Sequence, residues 1–325
     1  EREDHTMTTK PVLGISGCLT GSAVRFDGGH KRMSFVMDEL AQWVNFRPVC
    51  PEMAIGLPTP RPALRLIMTT SGETQMRFSH APHEDVTQKM ADFTADFLPK
   101  IGDLAGFIVC AKSPSCGMER VRLYDENGNR GRKEGVGLFT AALLETWPWL
   151  PVEEDGRLHD PVLRENFVER VFALHELNTL RKNGLTRRAL LDFHSRYKLQ
   201  LLAHHQAGYR EIGPFVASLH EWEDLDAFFV AYREKLMTIL KKPASRKNHT
   251  NVLMHIQGYF RNQLNTRQRG ELRDVILHYR NGQLPILAPI TLLKHYLAEY
   301  PDRYLMTQNY FDPYPDDLGL RLAVK

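Results

Sequence analysis

Gly106-Phe107-Ile108-Val109-Cys110-Ala111-Lys112-Ser113-Pro114-Ser115-Cys116-Gly117 runs from a short apolar segment straight into a loop of small residues, proline and cysteine. Four to five apolar residues closed off by Pro and Gly are what a buried strand and its exit loop look like. The same grammar recurs upstream. Residues 11–16 predict a first strand, followed by the loop Gly17-Cys18-Leu19-Thr20-Gly21, and Pro48-Val49-Cys50 leads into Pro51-Glu52. Between them, Met33, Val36, Met37, Leu40, Trp43 and Val44 recur at helical spacing. A Pro-rich loop over residues 56–62 precedes a strand or hairpin over 64–78. A helix over about 84–98 follows, then a turn at Asn127-Gly128-Asn129 and an amphipathic helix over 137–147.

This alternation predicts an α/β fold for the first half, a Rossmann-like sheet with flanking helices. From about residue 160 the texture changes to long helical patterns over roughly 161–182, 186–205, 224–241, 248–263, 268–281 and 289–299, so the second half reads as all-α. The expected domains are residues 8–158 and 159–325. Residues 1–6, ahead of Met7, read as a vestige of an expression vector and are set aside.

At 325 residues with 42% hydrophobic content the chain can bury two ordinary cores. No run of eighteen apolar residues and no basic-then-apolar leader is present, so a cytoplasmic address without a membrane span is expected. Four cysteines in such a setting point away from disulfides and towards core, metal or reactive roles. The net charge of +3 conceals an asymmetry. Residues 1–160 carry 18 Lys and Arg against 22 Asp and Glu, a balance of −4, whereas residues 161–325 carry 24 against 17, a balance of +7. The basic half is the candidate for a polyanionic partner.

Cys18, Cys50 and Cys116 each follow a predicted strand. In a sheet of this type such loops converge on one crevice, where ligands bind. Three thiolates suit an iron–sulfur cluster with one open iron, or a zinc with an open position. The spacing is none of the compact metal-binding runs, and chemistry alone leaves ligation and ordinary burial both open. Cys110, inside the apolar run, reads as a core residue.

Five short motifs in order carry a resemblance: Ser16-Gly17-Cys18-Leu19-Thr20-Gly21, Arg25-Phe26-Asp27-Gly28-Gly29, Cys50-Pro51-Glu52, Gly56-Leu57-Pro58-Thr59-Pro60-Arg61 and Lys112-Ser113-Pro114-Ser115-Cys116-Gly117. Over about residues 10–155 the chain resembles the thiouracil desulfidase family. The second half resembles, more loosely, the helical domain often fused to it, and the fused proteins look like bacterial desulfidases that return 4-thiouridine in tRNA to uridine. The resemblance implies a 4Fe-4S cluster on Cys18, Cys50 and Cys116 with the fourth iron free. It also implies an acid/base role for Glu52 and an active-site serine at Ser113. Many relatives carry a further cysteine where this chain has Val24, and a tyrosine where it has Phe26.

That residue set suits the chemistry. A soft thiocarbonyl sulfur prefers iron to a hard cation, and a water activated by a carboxylate can attack the polarised ring carbon without net electron transfer. Glu52 beside a cluster and partly desolvated is expected to be pushed up towards neutrality. Arg25, Arg61 and Lys112 are candidate cations for a phosphate or for the cluster's charge. Asp27 is a candidate to orient one of them, and Ser115 and His30 are further candidate substrate contacts; solvated surface or helix-start positions are the ordinary alternatives. In the helical half, Arg187, Arg188, Lys241, Lys242, Arg246 and Lys247 are expected to meet RNA phosphates, with tRNA containing 4-thiouridine as partner and no DNA. Two other functions fit the same residues: a desulfidase for free thiouracil or thiouridine, and a non-catalytic, metal-containing RNA-binding protein.

Overall fold

The computed structural model describes residues 9–322. Residues 1–6 and the outermost ends of both expected domains lie outside them. The chain divides between His159 and Asp160 into two compact units.

Among the described residues of the first unit, eight strands form two four-stranded sheets. The first sheet holds β1 (Val12–Ser16), β2 (Asn45–Val49), β5 (Gly106–Val109) and β8 (Val152–Glu154) in the order β2-β1-β5-β8. Every pair in it is parallel. Apolar β1 and β5 lie at its centre, Leu13, Ile15, Phe107, Ile108 and Val109 being at most 1% exposed, as a parallel sheet covered on both faces requires. The second sheet, β4-β3-β6-β7, is two hairpins joined by a parallel pair: β3 (Leu64–Met68) with β4 (Thr74–Phe78), and β6 (Val121–Tyr124) with β7 (Arg130–Gly135). The expected turn at Asn127-Gly128-Asn129 closes the second hairpin, with the Asp125 carboxylate accepting from the Asn127 and Asn129 amides.

Helices α1 (Pro51–Ala54), α2 (Thr87–Phe97) and α3 (Leu138–Thr146) accompany the sheets. The apolar periodicity over residues 33–44 is real, with Met33, Val36, Leu40 and Val44 buried. The backbone there is a π turn (Phe35–Glu39) running into a 3-10 turn (Leu40–Gln42) rather than an α-helix.

The second unit is helical: α4 (Pro161–Lys182), α5 (Arg187–His204), α6 (Gln206–Ala217), α7 (Leu225–Lys241), α8 (Arg246–Gly258), α9 (Thr266–Arg280), α10 (Leu287–Glu299) and α11 (Arg303–Thr307). Side-chain caps set their starts, at Asp160, Thr186, His205, Asp224, Ser245, Asn265 and Asp302. The sequence patterns omit α6, because Gly208, Gly213 and Pro214 read as breakers. Gly208 is instead a packing residue: a Cβ there would stand 2.7 Å from Ile239 Cγ1 on α7. No described helix is long and apolar enough to cross a membrane.

Candidate active site

In the first sheet the connection from β1 to β2 runs one way and that from β5 to β8 the other, so the strand order reverses between β1 and β5. Loops leaving the C-terminal ends of strands flanking such a reversal open a crevice. A cavity of about 250 Å³ lies there. Cys18 follows β1, Cys50 follows β2, Cys116 ends the loop after β5, and all three line the cavity with Glu52, Arg25, Lys112, Ser113 and Ser115.

Glu52 sits in the first turn of α1 and is 8% exposed. Its Oε1 accepts from Arg61 Nε at 2.9 Å and its Oε2 from Ser115 Oγ at 2.9 Å. Ser115 Oγ lies 3.0 Å from Ser113 Oγ. With Ser115 donating to the carboxylate, Ser113 donates to Ser115, giving a hydroxyl chain that ends on Glu52. Ser113 Oγ also accepts from the Ser115 and Cys116 amides at 3.3 and 3.1 Å, folding the cysteine loop around itself.

Arg61 is not a free cation. At 7% exposed, it donates through Nη1 to Pro58 O and Thr59 Oγ1 and through Nη2 to Val24 O, besides its bond to Glu52. It braces the cavity wall instead of reaching for a phosphate. Asp27 and His30 are both exposed and absent from the cavity wall. Asp27 accepts from the Gly29 amide and His30 Nδ1 from the Arg32 amide, so each serves its own turn, and Asp27 orients none of the cations. Phe26 is 44% exposed at the cavity rim, and Val24 lines the wall.

Cys110 is buried, as its place in an apolar run predicts, but it is not confined to the core. It lies just past β5 and lines the cavity with the other three thiols. The neighbouring thiols act on each other, Cys110 pulling the Cys18 thiol down while Cys18 and burial push the Cys110 thiol up. Burial drives the Cys116 thiol up to about 12, against a lowering by the Ser16 hydroxyl. A metal centre binding this thiol would displace its proton.

The acids closing the first sheet carry no functional reading in the sequence, yet they pin this loop at both ends. Asp155 Oδ1 accepts from the Ala111 amide at 2.8 Å, with Lys31 Nζ at 2.7 Å from Oδ2. Glu154 Oε2 accepts from the Met118 amide at 2.9 Å, and burial pushes its carboxyl up. Arg157 ties Glu153 to Glu119. The consecutive acids Glu153-Glu154-Asp155, at the end of a strand beside apolar β5, were the available signal. Gly137 completes the seat: a Cβ there would stand 2.5 Å from Ser115 O, so only glycine lets the start of α3 rest on the loop.

Among the described residues no three His, Cys, Asp or Glu are gathered around the position of one ion. Cys18, Cys50 and Cys116 instead surround a cavity. That arrangement fits a multi-atom group with thiolate ligands better than a single zinc, whose four ligands must all lie about 2 Å from one point.

In the helical unit the expected RNA contacts divide. Lys241 and Lys247 are exposed. Arg188 pairs with Asp192 at 3.4 Å, Arg187 donates to Trp222 O, and Lys242 Nζ lies 3.0 Å from His205 Nε2. Arg246 donates to Tyr279 O and covers that ring at 5.2 Å. Arg187 and Arg246 thus tie the unit together.

A family model described as 2-thiouracil desulfurase matches residues 13–155, and one described as a protein of unknown function matches residues 198–315. The chain is 51% identical over 152 residues to the uncharacterized protein YbgA of Escherichia coli (strain K12), covering 47% of this chain and 90% of that protein. The solved structure of a [4Fe-4S]-dependent thiouracil desulfidase, TudS, is similar at 30% identity with a TM-score of 0.35, covering 46% of this chain and 94% of that one.

Proposed function

We propose that this chain, whose residues 13–155 match the 2-thiouracil desulfurase family model, hydrolyses the C–S bond of 4-thiouridine in tRNA. Water supplies the oxygen of the uridine product, and sulfide leaves. The observation that carries this reading is a single cavity lined by Cys18, Cys50 and Cys116 together with a carboxylate anchored through both oxygens.

Cys18, Cys50 and Cys116 would hold a 4Fe-4S cluster. When bound, a cluster with one iron free of protein ligand supplies a soft Lewis acid for the thiocarbonyl sulfur. The rest falls to the chain's own residues. Arg61 and Ser115 hold Glu52 by one bond to each oxygen, and a carboxylate has further lone pairs to accept a water proton. As Glu52 takes that proton, the Ser115 hydroxyl can turn from donor to acceptor with no heavy-atom movement. The proton so held would be available for return to the leaving sulfide. Arg25 and Lys112 bring positive charge to the cavity wall, where a nucleotide phosphate would lie. Exposed Arg188, Lys241 and Lys247 of the helical unit would hold folded tRNA by its phosphates. Such contacts offset the few kcal/mol needed to unstack the target base.

A second reading, desulfuration of free thiouracil, is favoured by the substrate in the description of the matching family. Protein prepared without oxygen separates the two. Sulfide release from tRNA containing 4-thiouridine is expected; release from free thiouracil alone would leave only the second reading.

A further inference from the structure

The second sheet carries a feature that no single segment of the sequence displays. Arg65 on β3 is paired with Arg77 on β4. The β3–β6 register, in which Leu66 faces Leu123, sets Arg122 beside Arg65, and Arg122 is paired with Lys133 on β7. Residues in register share a face, so Arg77, Arg65, Arg122 and Lys133 form one row across all four strands, about 14 Å long at about 4.8 Å per strand. The next row on the same face is Gln75, Ile67, Tyr124 and Arg130. The Arg65 guanidinium covers the Tyr124 ring at 4.6 Å.

Like charges directly opposite one another disfavour a sheet, and the one acid in register with this row among the described residues is Asp85, at its Arg77 end. Among the described residues none of these five cations has a carboxylate within ion-pair distance. Arg77 donates to Gln75 and Arg122 to Gly131 O. Asp85, bridged to Arg77, accepts through Oδ1 from the Thr87 amide and hydroxyl and forms no ion pair with Arg77, which leaves the other four cations of the face without an acid in register. A row this long suits a run of phosphates rather than one anion, and an aromatic ring beside it suits an unpaired base. The row also adjoins the chemistry, since Ala63 and Leu64, where β3 begins, line the cavity.

We infer that this face of the desulfidase unit is a docking surface for an RNA backbone. It places one stretch of phosphates beside the cavity, in a half of the chain whose net charge is negative. The inference rests on the tRNA reading above and adds a binding site that reading assigned only to the helical unit.

The test is equilibrium binding of unmodified tRNA to the full chain across a salt series. Two variants carry it: Arg122→Glu/Lys133→Glu, and Arg130→Glu/Lys133→Glu, whose sites are both exposed. Lys89→Glu/Lys100→Glu, on α2 and just beyond its end, makes the same change in net charge elsewhere. Each sheet variant is expected to weaken binding at least about tenfold and to make the slope of log K against log salt shallower by about 2, while the α2 variant keeps the wild-type slope. An unchanged slope in the Arg130→Glu/Lys133→Glu protein, or an equal loss in the α2 variant, overturns the inference. Wild-type protein that binds no tRNA overturns both the inference and the tRNA reading. Binding through this face without sulfide release from 4-thiouridine tRNA overturns the tRNA reading alone.

Discussion

Replacing Glu52 by glutamine keeps the length of the side chain and removes its charge, which separates the base from the scaffold. Glu52 accepts from Arg61 and from Ser115, and the Arg61 side chain is only 3% exposed. The amide of the Glu52→Gln protein would retain an oxygen for Arg61 but could not hold a proton from water. Losing a general base costs about 10²- to 10⁴-fold in rate, or about 3–5 kcal/mol of barrier. Glu52→Ala does more, because it strands a buried guanidinium. Breaking a buried pair on one side costs about 3–5 kcal/mol, and at about 2–4 °C per kcal/mol the melting temperature should fall by about 10 °C. The assay is sulfide release under anaerobic conditions, with iron content and melting measured on the same preparations. Glu52→Gln should keep its iron and lose at least a hundredfold in turnover, with a smaller fall in melting temperature than Glu52→Ala, because its amide oxygen still accepts from Arg61, and Glu52→Ala should be both inactive and markedly less stable. Turnover of Glu52→Gln within threefold of wild type would refute the role of the carboxylate.

Ser115→Ala removes the hydroxyl between Ser113 and Glu52 while leaving Cys116 in place. Iron content should be kept and turnover should fall about tenfold or more, with a changed pH–rate profile; an unaltered profile would show the hydroxyl chain to be idle. Cys50→Ser should lose iron and activity together, whereas Cys110→Ala should keep its iron, which metal analysis of protein made without oxygen reads directly. In the helical unit, burial holds His194 down to about 4, with Lys198 adding to the effect. Unfolded His194 takes up a proton below about pH 6.5 and the folded form does not, so stability falls as pH drops from about 6.5 and levels off below about 4. The total loss is about 3 kcal/mol. Melting curves of wild type and His194→Gln should diverge across that window, and parallel curves would contradict it.

Much of the fold was legible because burial leaves periodic traces. Apolar β1 and β5, each running into a glycine- or proline-bearing loop, announced strands of a covered sheet, and α4 spans the residues its periodicity marks, 161 to 182. What the traces conceal is equally specific. Gly208 and Pro214 punctuate a sequence, but a tight helix contact with Ile239 is formed only once α7 is in place. The π and 3-10 turns over residues 35–42 bury the same side chains that an α-helix would, so periodicity does not distinguish them.

The candidate site divides along the same line. That Cys18, Cys50 and Cys116 leave strand ends, and that Glu52 stands two residues from a thiol, follows from the chain alone, because strand exits and short spacings are local properties. Cys110 in the cavity, Ser115 on Glu52, Arg61 spent as a brace and the acids holding the cysteine loop were settled by tertiary structure. Each depends on which backbone lies beside which, and Ser115 meets a carboxylate 63 positions away. The cation row makes the point most sharply. Arg65, Arg77, Arg122 and Lys133 are unremarkable where they stand in the sequence, and they share a face only because strand pairing fixes the register in which they meet.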